Sequence, residues 1–192
     1  MKKEKNDSMP VVFDSHVHLF PPSVIASVAK RNPLAEALFF EKMRRHNLSG
    51  KPPFFAIFDT FYQADRYFGA PRKHMTTPEK LRCLVTTFPE IDFVATHTGE
   101  LTAPYREIEE HLYPQRNLYL ETSNAAHVLS REEFVRLLDR HGPEHVIFGT
   151  DWPWFGHLEE IALIQGLLQK AGFSAGQQAL VFSGNISGFL NK

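Results

Sequence analysis

Two histidines, His16 and His18, stand two residues apart at the end of the apolar run "VVFDSHVHLF". In a strand, side chains at i and i+2 leave the same face, so the pair presents two imidazoles to one point. Two imidazoles so placed can hold one divalent ion, and a carboxylate from a facing strand can complete the shell. Asp151 in "FGTDWPW" is the best-placed carboxylate, because an apolar run delivers it and Pro153 then breaks the chain away. His97 in "ATHTGE" is either a further ligand or a proton-transferring group beside the metal. Plainer readings compete. A strand can simply end in polar residues, a lone histidine often hydrogen-bonds within a core, and "TDWP" is a turn sequence. Glu121 in "LYLETS" can cap the following segment or pair with a basic neighbour.

The elements that must position these groups are short apolar runs alternating with helical patterns, as in βαβ units on a parallel sheet. The expected strands are 11–16, 54–59, 92–97, 117–123 and 145–151. Each places apolar residues on both parities, as strands buried on both faces do. The helical patterns are 33–47, 76–89, 130–142, 157–172 and 175–190. Thr77 with Pro78 reads as a helix start, Ser130 with Glu133 as a capping box, and Gly142 as a stop. On this map His16, Asp59, His97, Glu121 and Asp151 fall at or near the C-terminal ends of five different strands. In parallel α/β folds those ends converge on the ligand-binding face. The remaining histidines (His46, His74, His111, His127, His141, His145 and His157) are expected at the surface.

Bulk properties narrow the classes. The chain has 192 residues, 43% of them hydrophobic, which is enough for one domain with its own core. A net charge of −1 with scattered basic residues implies no nucleic-acid or membrane partner. The single cysteine, Cys83, excludes an intrachain disulfide and fits a reducing cytoplasm. Residues 1–10 are charged with no apolar stretch behind them and read as a disordered leader, and 11–192 as one α/β domain.

In order, "DSHVHLF", "FVATHTGE", "LYLETS", "VIFGTDWPW" and "GNISGFL" resemble the amidohydrolase-2 family of metal-dependent TIM barrels. That family includes aminocarboxymuconate-semialdehyde decarboxylase, resorcylate-type decarboxylases and hydrolases of lactones. The resemblance implies that His16, His18 and Asp151 bind the metal, most simply zinc, and that His97 is the acid/base histidine of barrel strand 6. It also implies barrel positions 1, 5, 6, 7 and 8 for the five strands. Family barrels run to roughly 250 residues, so about three βα units are missing between Phe20 and Pro53. The expected fold is therefore a reduced or incomplete TIM-barrel-like sheet. The strand 5 segment "PPFFAIFDTFYQADRYFGAP" lacks the family's histidine, and Asp59 is the nearest oxygen donor. Asp59 and Glu121 stand as additional ligands or as braces for the ligands.

The expected function is a metal-dependent hydrolase or decarboxylase acting on a small carboxylated or cyclic substrate. Trp152, Trp154 and Phe155 are pocket walls or core. Arg66, Arg72 and Tyr67 lie in the loop after the second visible strand, where they meet a substrate carboxylate or are merely solvated. A competing class is an inactive barrel remnant that serves as a binding or oligomerisation module. A metal nuclease of the TatD type fits less well, for want of a basic face and a strand 4 glutamate. The apolar edge Phe54, Phe55, Ile57 and Phe58 predicts a homo-oligomer through that strand or through 34–43.

Overall fold

A computed structural model describes residues 12, 55–58, 76–99, 101–152 and 154–190. The expectations for 1–10, for the strand 11–16 apart from Val12, and for the helix 33–47 lie outside the described residues. Among the described residues four strands form one parallel sheet in the order β1 (Phe55–Phe58), β2 (Asp92–Ala95), β3 (Leu118–Glu121) and β4 (Val146–Ile147). Neighbours in sequence are neighbours in the sheet, with Phe55 opposite Asp92, Phe93 opposite Leu118 and Leu120 opposite Val146. The strands fall where the apolar runs placed them, but β2, β3 and β4 stop earlier. Their polar C-terminal residues leave the ladder in tight turns.

Between and after the strands run α1 (Pro78–Thr87), α2 (Tyr105–His111), α3 (Ala125–Val128), α4 (Arg131–His141) and α5 (His157–Lys170). The expected helix 175–190 is instead α6 (Ala175–Ala179), a π-helical turn (Leu180–Gly184) and α7 (Asn185–Leu190). Local chemistry explains the helix ends. The Thr77 hydroxyl accepts from the Lys80 amide with Pro78 at the first position. Ser130 and Glu133 close a reciprocal capping box, and Gly142 at φ 77° ends α4. α2 was not anticipated, and its N-cap, Pro104, offers no side-chain hydrogen bond to announce it.

The two parities of β2, β3 and β4 serve two layers. Phe93, Ala95, Leu118 and Leu120 pack against Leu81 of α1, Ile108 of α2 and Leu137 of α4. Val146 and Phe148 continue this face onto Phe134, Ile164 and Phe182, with Val12 packed alongside. The opposite parity, Val94, Tyr119 and Ile147, meets Ile186 and Phe189 of α7. The Phe189 ring stands edge-on to Tyr119 with centroids 4.8 Å apart. Asn185 anchors α7, its Nδ2 donating to the carbonyls of Pro143 and Val146 at 2.7 Å each. Among the described residues, no helix is long and apolar enough to cross a membrane. The architecture of the described residues is α/β, a run of consecutive βα units of the TIM-barrel kind that forms part of a barrel.

Candidate active site

Three turns at the C-terminal ends of β2, β3 and β4 bring the buried polar residues together. After β2 the chain kinks at His97 and Thr98, both left-handed at φ 55° and 54°, and continues through Gly99 at φ 100°. Asn124 after β3 stands at φ 59° and Asp151 after β4 at φ 62°. Left-handed backbone costs a residue with a Cβ about 1–3 kcal/mol, and it persists only where surroundings over-determine it. Four such residues in three neighbouring turns mark a site built for something other than stability.

The surroundings are dry. His97 and Asp151 are each 4% exposed, and Glu121 is 1% exposed. His97 Nδ1 lies 2.9 Å from the carbonyl oxygen of Ser123 and 3.0 Å from its Oγ. Glu121 accepts from Ser123 twice, at Oε1 from the backbone amide and at Oε2 from the hydroxyl, both at 2.6 Å. The His97 amide makes a longer bond of 3.4 Å to the same Oε2. The next residue, Asn124, reaches the other way and donates from Nδ2 to Asp151 Oδ2 at 3.1 Å. Consecutive residues of one turn therefore hold His97 on one side and Asp151 on the other. Thr122, just before them, exchanges hydrogen bonds with Gly149 through its hydroxyl and so ties the β3 turn to the β4 end.

Glu121 thus meets the His97 backbone, and Asp151 is joined to this pair through Asn124 and Ser123, with His97 and Asp151 both lying past the strands. His16, His18, Asp59, Arg66 and Arg72 lie outside the described residues. Trp152 is 38% and Trp154 69% exposed, so neither is a core residue. Among the described residues no three His, Cys, Asp or Glu side chains stand close enough to bind a metal. Glu121 is committed to the Ser123 turn. Asp151, a buried carboxylate oriented by a neutral amide, has the chemistry of a metal ligand braced by its neighbour. Sequence reasoning passed over Ser123 and Asn124. The signal available was "SN" directly after a strand, two residues that turn chemistry favours, with asparagine tolerant of φ > 0.

The surface assignment of the other histidines fails at His141, holds only in part at the half-buried His145, and is right for His127, which is exposed but makes defined contacts. His141 is 5% exposed and donates from Nε2 to the Leu112 carbonyl at 2.8 Å. His145 bonds the Leu118 carbonyl through Nδ1 and stacks on Tyr119. His127 stacks on Phe155 at 3.9 Å, and its Nε2 lies 2.6 Å from Oε1 of the buried Glu160. At His141 and His145 the ring is accommodated away from solvent because a carbonyl satisfies one nitrogen, which single-residue propensity does not reveal.

Comparison with solved structures places the fold. An amidohydrolase from Burkholderia multivorans with bound zinc matches with a TM-score of 0.55 at 13% identity, covering 91% of this chain and 63% of that one. The same organism's amidohydrolase with bound HEPES matches with a TM-score of 0.53 at 14% identity, over 71% of this chain and 53% of that one. A dihydroxybenzoic acid decarboxylase from Polaromonas sp. JS666, with bound manganese and 2-nitroresorcinol, gives a TM-score of 0.45 at 17% identity, over 80% and 53%. The chain spans less than two thirds of the length of these proteins. No curated protein matches it. The first two likenesses establish a shared fold, and the Amidohydrolase family model matches residues 67–191, a span holding all three turns of the site. The chain belongs to the amidohydrolase-2 family.

Proposed function

We propose that the chain is a metal-dependent hydrolase of amidohydrolase type acting on a small carboxylated or cyclic substrate, with decarboxylation as the alternative chemistry of the same site. The observation that carries this reading is the single turn whose adjacent residues, Ser123 and Asn124, grip His97 and Asp151. Asp151, with His16 and His18 from the "DSHVHLF" motif, would hold one divalent ion, and zinc is the first candidate because a solved neighbour carries it. Bound there, such an ion lowers the pKa of a water toward 7 or polarises a substrate carbonyl. His97 takes a proton from the attacking water and returns it to the leaving group as the substrate bond breaks, so none is consumed. The buried turn keeps bulk water from the histidine, and the exposed Trp152 and Trp154, which follow Asp151 closely in the chain, would be available to a substrate.

Elemental analysis of the purified full chain after zinc supplementation is the direct test. About one ion per chain is expected, lost in His16→Ala and Asp151→Ala and retained in His97→Gln. Turnover of a panel of lactones, cyclic amides and carboxylated aromatics should disappear in all three variants. Wild type that binds no divalent ion would overturn the reading in favour of a binding or oligomerisation module.

A further inference from the structure

We infer that Glu121 and Ser123 are positioning residues that fix the tautomer of His97, with the proton on Nδ1 and the lone pair on Nε2. The inference rests on the proposed acid/base role of His97 and says which of its atoms does the work. A carbonyl oxygen can only accept, so the 2.9 Å contact from Nδ1 to the Ser123 carbonyl requires a proton on Nδ1. The Ser123 hydroxyl agrees with this. It has one proton, and at 2.6 Å that proton goes to Glu121 Oε2. Oγ therefore turns a lone pair toward Nδ1, 3.0 Å away, and accepts from it as well. Glu121 in turn cannot swing away, because its Oε1 holds the Ser123 amide at 2.6 Å.

The neutral ring is then left with Nε2 as its only acceptor, the state a proton-accepting histidine needs. When Nε2 takes a proton, the resulting cation faces the Glu121 carboxylate through one hydroxyl. All three residues are buried, so these contacts act in a surrounding that screens them little. The arrangement is the one by which a hydrogen-bonded carboxylate orients a working histidine, here relayed through serine.

Glu121→Gln probes the device without changing its shape. The Ser123 amide needs an acceptor at the Oε1 position, so the glutamine carbonyl must settle there and its NH2 must face Oγ. The hydroxyl, now receiving, turns its own proton toward Nδ1 and drives the ring toward the Nε2–H form. Long-range 1H–15N correlation spectra of the histidine-labelled full chain read this without metal or substrate. Wild type should show His97 as the Nδ1–H tautomer, and Glu121→Gln should shift it toward Nε2–H. Adding Ser123→Ala to Glu121→Gln removes the opposing hydroxyl and should restore the Nδ1–H form through the carbonyl. Turnover in Glu121→Gln should drop about 10- to 100-fold with metal content unchanged. An Nε2–H tautomer in wild type, or no tautomer change in Glu121→Gln, would sink the inference even if the metal site is real. A chain that binds no metal but shows the tautomer switch would refute the proposed activity and leave the positioning intact.

Discussion

Asn124 and Asp151 hold one another in a conformation that neither would adopt readily alone. The Asn124 amide donates to Asp151 Oδ2 at 3.1 Å while the two residues stand at φ 59° and 62°. Asparagine tolerates this region better than alanine, and glycine better than either. Asn124→Ala should therefore cost about 1–3 kcal/mol, since it loses both the bond and the backbone tolerance. Asn124→Gly loses only the bond and should cost clearly less. Urea denaturation of the two variants gives the comparison, and equal losses would show that backbone conformation is not the larger effect. Both variants should weaken zinc binding if Asp151 is a ligand.

His141 makes stability depend on pH. Burial pushes its imidazole from 6.5 down to about 4, against the opposing effect of its bond to the Leu112 carbonyl. Between those two values the unfolded chain takes up a proton that the folded chain refuses. Stability should then fall as pH drops from about 6.5 toward 4, by up to about 3 kcal/mol. His141→Gln keeps an N–H donor for the carbonyl without titrating, so its stability should be flatter over that interval. Denaturation midpoints at pH 7 and pH 4.5 for both proteins would reveal the difference, and parallel curves would refute the assignment.

The pair His127 and Glu160 predicts an asymmetric response. Glu160 is 2% exposed, and its Oε2 is buried without a hydrogen-bond partner among the described residues. His127 is about one third exposed. Removing the histidine strands a buried carboxylate, whereas removing the glutamate leaves a ring that water can reach. His127→Ala leaves a buried polar group without its partner and should therefore cost about 1–3 kcal/mol, and Glu160→Gln markedly less. Because His127 also stacks on Phe155, the loop after Asp151 should loosen in His127→Ala, read as faster amide exchange at 154–156. The reverse ranking of the two variants would mean that packing, not the stranded buried side chain, governs this corner.

Much of the frame is written locally. Apolar residues on both parities announced buried parallel strands, and hydroxyl caps, a proline at the first helical position and a terminal glycine announced α1 and α4. These signals are readable because each rests on contacts within three or four residues. The motifs at the strand ends located His97, Glu121 and Asp151 for a similar reason: a strand's direction determines which end of it reaches the common face.

What the tertiary structure alone decided was made by contacts far apart in the chain. His97 sits beyond its strand in a left-handed kink stabilised by Ser123, 26 residues away. Asn124 meets Asp151 across 27 residues, and His127 meets Glu160 across 33. The π-helical turn at Leu180–Gly184, which splits what reads as one helix, leaves the Val181 carbonyl accepting from the Phe148 amide. Left-handed backbone, buried histidines and helix irregularities all carry a local cost, so no local pattern predicts them. They exist because distant partners outweigh that cost. The sequence by itself determined which residues reach the C-terminal face, and the fold decided which of them hold one another there.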